Sequence, residues 1–264
     1  LRRTDRHLPP IVCIEADSQV TTLENWLPKA GEEFTVEEVE PDALATIVYT
    51  SGTTGPPKGV KLTHSNILSN VHAVLKAVEL HATDRVLSVL PLSHMFERTC
   101  GYYLTLHAGV QVIYTRGIQQ LVEDLATQQP TMLIAVPRVL ERFKARIEGK
   151  LAGSFFKRQL FALTVKFGWL VYQQQANALE RVVYGLLRKL VAEPILTKLG
   201  GKLRMVVVGG AGLDQRVGRT FIGLGLRITQ GYGLTETSPV IAGNREGDRD
   251  LASVGAPLEK VANV

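Results

Sequence analysis

The sequence predicts an α/β fold: a largely parallel sheet flanked by helices, with a helical hairpin inserted into it. Three observations carry this. From Leu44 onward, short apolar runs alternate with longer helical segments. The first five of those runs are almost continuously apolar, as strands buried on both faces must be. Between about residue 150 and residue 200 the alternation stops and only helical spacing remains.

Taken in order, residues 1–43 are mixed and turn-rich. IVCI (Ile11–Ile14) reads as a short strand, LENWL as a helical turn and GEEFTVEEVEPD as an acidic connector. Strands follow at LATIVYT, RVLSVLP, VQVIY, TMLIAVP, LRMVVVGG and LRITQ. Helices are expected between them at Ser65–Leu80, Phe96–His107, Ile118–Gln128, Arg138–Glu148 and Asp214–Gly223. Strand–helix alternation of this kind implies right-handed crossovers and parallel pairing. In the insert, FFKRQLFALTVKFGWLVYQQ and LERVVYGLLRKLVAEPIL place aliphatic and aromatic residues at helical spacing.

Composition excludes several classes. At 264 residues and 45% apolar, the chain can bury a core. Cys13 and Cys100 are its only cysteines, which leaves no disulfide framework and no metal or redox spacing. No apolar run approaches the ~18 residues of a membrane span, and the first residues show no basic-then-apolar pattern, so neither a span nor a signal peptide is expected in this stretch. The reading is cytoplasmic, with membrane-surface contact left open. A net charge of +5 is mild and points to no nucleic acid partner. It is unevenly spread, however: Arg138–Arg204 holds 14 Lys and Arg against 4 Asp and Glu. That segment is either a solvated helix face or a peripheral surface for anionic lipid headgroups or an acidic partner.

Three constellations carry chemistry. The first is YTSGTTGPPKG, Tyr49–Gly59. Gly52, Gly55 and Gly59 let backbone amides approach a ligand. Thr50, Ser51, Thr53 and Thr54 offer hydroxyl donors, and Lys58 adds a compact positive charge. Placed after a buried strand and before a helix, the loop suits a polyphosphate. It is not a Walker A loop, because the order is Lys58-Gly59 and two prolines precede it. The second is QGYGLTETSP, Gln230–Pro239. Gly231 and Gly233 permit close approach beside Tyr232, and Thr235 and Glu236 follow. A carboxylate facing a polyphosphate across a cleft calls for Mg²⁺ between them; alone, Glu236 reads as a surface or capping residue. The third is VVVGGAGL, Val206–Leu213, which suits a flat ring against backbone and equally a tight strand–helix turn.

YTSGTTGPPKGV, QGYGLTE and the intervening LPLSHMFER together resemble the adenylate-forming enzymes. LPLSHMFERTCGYYLTLHAG, VPRVLERFKARI and the helical insert look most like the long-chain fatty acyl-CoA synthetase branch. The resemblance spans Leu44–Pro257 and implies part of the large amino-terminal domain. Its expected layout is a remnant and connector at 1–43 and an AMP-binding core at 44–264.

By position, the resemblance implies that Thr50, Ser51, Gly52, Thr53, Thr54, Gly55 and Lys58 grip the β- and γ-phosphates of ATP. It places Thr50 and Glu236 at the magnesium, and Gly210 and Ala211 beside the adenine. Gln230, Gly231, Tyr232, Gly233 and Thr235 would line the nucleotide, with Tyr232 on the adenine and Thr235 near the α-phosphate. His94 would sit at the acyl pocket. The implied reaction joins a long-chain fatty acid to AMP and then to coenzyme A. The Tyr/Phe-Arg-Thr-Gly pattern that carries the family's ribose-binding aspartate is not found, nor is the later domain with its catalytic lysine, so the expectation is a central fragment inactive alone. Alternatives are a non-catalytic ATP or acyl-adenylate binding module, a ligase that loads a carrier protein, and a helical membrane-surface adaptor.

Overall fold

The computed structural model describes residues 12–13, 21–22, 25, 27, 36–50 and 56–259. The chain divides into two compact units, Leu1–Val39 and Glu40–Val264. In the first, β1 (Val12–Cys13) pairs in parallel with β2 (Thr21–Thr22), and the strand expected at IVCI falls there. Most of LENWL and of the acidic connector lies outside the described residues.

The second unit opens with a hairpin, β3 (Leu44–Thr50) against β4 (Lys58–Thr63). α1 (His64–Ala77) follows at once, capped by Thr63 and Asn66 acting reciprocally. Next come β5 (Arg85–Ser88) and α2 (95–107). α2 is α-helical over Met95–Glu97, π-helical over Arg98–Tyr103 and α-helical again over Leu104–His107. Then follow β6 (Gln111–Tyr114), α3 (Leu121–Gln128), β7 (Met132–Ala135) and α4 (Pro137–Leu151), which takes its proline in the first turn, where no amide is needed. α5 (Phe155–Tyr172) and α6 (178–197) form the inserted hairpin. The chain ends its described part with β8 (Met205–Val208), α7 (Gln215–Gly223), β9 (Arg227–Gly233), β10 (Val240–Gly243) and β11 (Ala256–Pro257).

The seven-stranded sheet has the order β11-β10-β9-β8-β7-β5-β6. From β6 to β9 every pair is parallel, whereas β10 and β11 are antiparallel. The period of two explains the apolar runs. Leu133 and Ala135 point into a core shared with α3, α4, α5 and α7, while Met132 and Ile134 point into a second core with α1 and α2.

Two expectations are corrected. LATIVYT is a strand, but not a doubly buried one in the main sheet. Among the described residues it pairs only with β4, and Leu44, Ile47 and Tyr49 are exposed. KGVKLT therefore forms a strand the sequence reading did not anticipate, and the glycine-rich loop joins two antiparallel strands rather than a strand and a helix. VQVIY is also only half buried, because β6 is the edge of the sheet.

Asp84 and Glu97 are among the polar groups buried deep in this frame. Asp84 is 3% exposed. It pairs with both Arg204 nitrogens Nε and Nη2, accepts from Thr131 Oγ1 at 2.6 Å and accepts from the His81 amide at 2.8 Å. Burial alone would push its carboxyl up, but these bonds and the Arg204 charge hold it at about 2. Glu97, at the start of the π-helical turn, is fully buried. Ser88 Oγ donates to its Oε1 at 2.5 Å, while Oε2 has no hydrogen-bond partner. Burial pushes this carboxyl up to about 7 against the lowering by Ser88 and the Leu90 backbone. Burial and the neighbouring Glu97 raise the Cys100 thiol to about 12.

α5 and α7 cross at backbone contact. A Cβ on Gly168 would lie 2.0 Å from the Gly223 carbonyl oxygen, so neither helix can move in if that position gains a side chain.

Three outcomes are expected. Asp84→Asn should cost about 2–4 kcal/mol in urea unfolding at pH 7, because it leaves the Arg204 charge without its partner. That cost should shrink as pH falls from the ordinary carboxylate range toward 2, where the wild-type carboxylate is itself lost; a cost independent of pH would refute the assignment. Glu97→Gln acts in the opposite direction. The folded state binds its proton more tightly than the unfolded chain, so wild-type stability falls as pH rises from about 4.5 to 7. Glu97→Gln should abolish that fall, gaining up to about 3 kcal/mol on wild type between pH 4.5 and pH 8. Gly168→Ala should lower the melting temperature, and an unchanged value would show that the α5–α7 contact is slack.

Candidate functional site

Parallel strands deliver their carboxyl ends to one edge of the sheet, and the chain uses that edge. A cleft of about 370 Å³ opens there. It is lined by residues following β5 (Leu90, Pro91, His94), β7 (Val136) and β8 (Gly210), and by the end of β9 (Gly231, Tyr232, Gly233). Met95, Phe96, Leu234, Thr235, Pro239 and Val240 complete the wall.

Several contacts shape it. Phe96 lies so close to Gly209 that a Cβ there would be 2.8 Å from its ring, which is why the backbone after β8 needs glycine at that point. Gly210 follows with φ +81°, turning the chain away from the strand. On the opposite wall, buried Asn70 of α1 holds the segment before β10. Its Nδ2 donates to the carbonyls of Thr237 (3.2 Å) and Val240 (2.7 Å), and its Oδ1 accepts from the Val240 amide (3.2 Å). Thr99 Oγ1, in the π-helical turn, donates to the Ser238 carbonyl at 3.3 Å. The Ser238–Pro239 peptide is cis.

Of the residues expected at a nucleotide or acyl site, His94, Gly210, Gly231, Tyr232, Gly233 and Thr235 line this one cleft. Tyr232 is half exposed, and its ring is free to meet a ligand. Ala211 is exposed and next in sequence to Gly210, but does not line the cleft. Gln230 turns away: its Nε2 donates to the carbonyls of Leu251 (3.1 Å) and Ser253 (3.4 Å), and its amide donates to Asn244 Oδ1 at 2.9 Å. It anchors β9 to the loop before β11.

Thr50 and Lys58 are register partners at the loop end of the β3–β4 hairpin, where Thr50 Oγ1 donates to the Lys58 carbonyl at 3.5 Å. Ser51, Gly52, Thr53, Thr54 and Gly55 lie outside the described residues. β4 packs against the turn Thr235–Thr237, so Lys58 and Glu236 stand on neighbouring elements, both exposed. Among the described residues no three His, Cys, Asp or Glu side chains are grouped to hold a metal. Glu236 could hold Mg²⁺ only together with oxygens of a ligand such as a phosphate, which suits the octahedral, water-rich shell of that ion.

The apolar wall was not read from sequence. Phe96 and Met95 belong to SHMFER, so the quoted motif was the available signal. Asn70 had none: it is one polar residue on a helix, and its partners are about 170 residues away.

Comparison with known proteins gives the family of the chain. Residues 3–263 match the pattern of the AMP-binding enzyme family. A peroxisomal long chain acyl-CoA synthetase of Arabidopsis thaliana is 39% identical over 83% of this chain and 31% of its own length. A chloroplastic long-chain-fatty-acid–[acyl-carrier-protein] ligase of the same plant is 32% identical over 83% of this chain and 34% of its own. Among solved structures, an anthranilate CoA ligase in complex with anthranoyl-AMP superposes with a TM-score of 0.64 at 17% identity, over 94% of this chain and 40% of that one. That last likeness speaks to fold alone. The chain spans about a third of the length of the curated relatives it matches. On the breadth of the family match, and with the mostly parallel sheet and edge cleft in place, the chain belongs to the AMP-binding enzyme family.

Proposed function

We propose that this chain forms the nucleotide- and acyl-binding core of a ligase that activates a long-chain fatty acid with ATP and passes it to coenzyme A. The observation that carries this is the shared cleft: His94, from the LPLSH motif, faces the same space as Gly210 and Gly231–Thr235. An acid held by the first group meets an α-phosphate held by the second. A carboxylate oxygen then attacks the α-phosphorus, the α–β phosphoanhydride bond breaks, and pyrophosphate leaves. In the second step the thiol sulfur of coenzyme A attacks the acyl carbon, its proton is lost, and AMP departs.

The first step drives an anion toward a polyanion, so positioning and charge neutralisation matter more than a protein nucleophile. In this reading Lys58 and the hydroxyls of the Thr50–Gly59 loop take the β- and γ-phosphates. Tyr232 and the backbone at Gly210 take the adenine, with Ala211 next to it in sequence, and Thr235 lies by the α-phosphate. Mg²⁺, held by Glu236 and Thr50 with phosphate oxygens, would supply further charge neutralisation. Leu90, Met95, Phe96 and Val136 give the acid an apolar wall. The long-chain relatives support the fatty acid reading, while the carrier-protein ligase among them keeps the acceptor a matter for assay.

A membrane-facing role for the hairpin has its own support. No helix among the described residues is long and apolar enough to cross a membrane. On α6, however, Leu179, Val182, Leu186 and Leu190 are 60–73% exposed along one stripe, beside Arg181 and Lys189. Phe155 and Phe156 stand equally exposed at the start of α5, next to Lys157 and Arg158. Apolar side chains flanked by cations fit an anionic lipid surface.

Carboxylate-dependent ATP–pyrophosphate exchange on the whole protein tests the enzyme reading. Exchange should appear with oleate and not acetate, and Lys58→Ala and Glu236→Gln should each lower it about 100-fold. ATP binding with no exchange for any acid would leave a binding module instead. For the hairpin, co-sedimentation with phosphatidylserine-containing vesicles should weaken with salt and be lost in Leu186→Glu/Leu190→Glu; binding unchanged in that variant would remove α6 from the contact.

A further inference from the structure

The opposite end of the sheet holds a second cavity, of about 410 Å³, between the hairpin and the amino-terminal end of β9. Four arginines line it: Arg188 from α6, Arg227 from β9, and Arg245 and Arg249 from the loop after β10. The acidic residues in its wall are Glu246 and Asp248. Neither neutralises it well. Arg227 reaches Glu246 only at 3.7 Å, and Glu246 is 75% exposed. The Asp248 carboxylate is turned to the Arg245 amide, at 2.8 Å. Arg245 donates to the Pro257 carbonyl at 3.2 Å. Arg188 and Arg249 make no guanidinium hydrogen bond or ion pair among the described residues.

Two tyrosines share the wall. Tyr172 donates its hydroxyl to the Asp248 carbonyl at 2.8 Å. Burial and Asp248 raise its phenol while Arg249 and Arg227 pull it down, and Arg188 pulls against burial at the half-buried Tyr184. The carbonyl ends of α5 and α7 lie nearby and ease the gathering of positive charge. They do not use it up, since none of these four guanidiniums donates to those carbonyls among the described residues.

We infer that this cavity is an anion site for a phosphate group, separate from the cleft at the carboxyl edge. Guanidinium forks match phosphate oxygens two at a time, and a half-enclosed site protects such pairs from screening. Along β9, Arg227 is four residues, or about 13 Å, from the cleft residue Gly231. One phosphate cannot serve both. The phosphate has two sources: a soluble phosphorylated anion, or the headgroup of a phospholipid met by the exposed stripe of α6.

The test is titration calorimetry on the 264-residue chain carrying Lys58→Ala, which removes the cation of the phosphate loop. The probes are inorganic pyrophosphate and, separately, monomeric dihexanoyl phosphatidic acid. At least one should bind saturably, and adding Arg188→Gln and Arg249→Gln should weaken it at least tenfold. Arg249→Lys alone keeps the charge and should weaken it less, with the melting temperature unchanged. Binding of pyrophosphate alone identifies a soluble ligand, and binding of the phosphatidic acid alone a headgroup. Absence of saturable binding by both probes, or equal affinity with and without the two arginine substitutions, overturns the site.

Discussion

A single buried carboxylate ties three parallel strands together. Asp84 precedes β5, Thr131 precedes β7 and Arg204 precedes β8, and all three meet at one point on the amino-terminal edge of the sheet. The backbone repeats the tie: the Arg85 amide donates to Thr131 Oγ1, and the Arg204 amide to the Thr131 carbonyl. Parallel strands have no tight turn to set their register, because long crossovers join them. A side chain that reads three strand starts at once does that work here. From it follows the alignment at the other edge, where Ala135 stands beside Val208 and Val208 beside Gln230. The cleft depends on that alignment, since its wall is the row of residues that come next.

The same constraint divides the chemistry by polarity of the sheet. At the carboxyl edge, glycine-rich turns and an apolar wall leave room for a ligand that brings its own charge. At the amino edge, arginine side chains supply charge of the protein's own. A helix on one face of the sheet also shapes the carboxyl edge. That helix is α2. Its π-helical turn buries Glu97 against Ser88 while Thr99 of the same turn holds the Ser238 carbonyl of the cleft rim. π-helical turns of this kind recur at functional sites.

Local pattern was enough for most of the frame. Strand runs such as TMLIAVP and helices such as Arg138–Glu148 lie within a few residues of β7 and α4, because alternate burial and amphipathic spacing are local properties. The hairpin was legible as an interruption of the rhythm. What sequence could not supply was partnership. LATIVYT looks like any buried strand, and only its pairing with KGVKLT reveals an exposed two-stranded element. Gln230 stands inside the right motif, yet its amide is spent on Leu251 and Ser253. Asn70, Asp84 and Arg204 work through partners 47 to 170 residues distant, and no window of sequence shows that. The motif glycines were legible for the opposite reason: their role is set by the backbone beside them.

The β3–β4 hairpin has a colloidal meaning. β3 is seven residues long, uncharged, and rich in β-branched and aromatic side chains. One of its edges is taken by β4; the other has no strand beside it among the described residues. Such an edge is a template on which another extended chain can add. β4 answers with Lys58 and Lys61, two like charges that make stacking of hairpins costly. Lys58, offered above to a phosphate, thus also guards against self-association, and a bound polyanion would neutralise the guard.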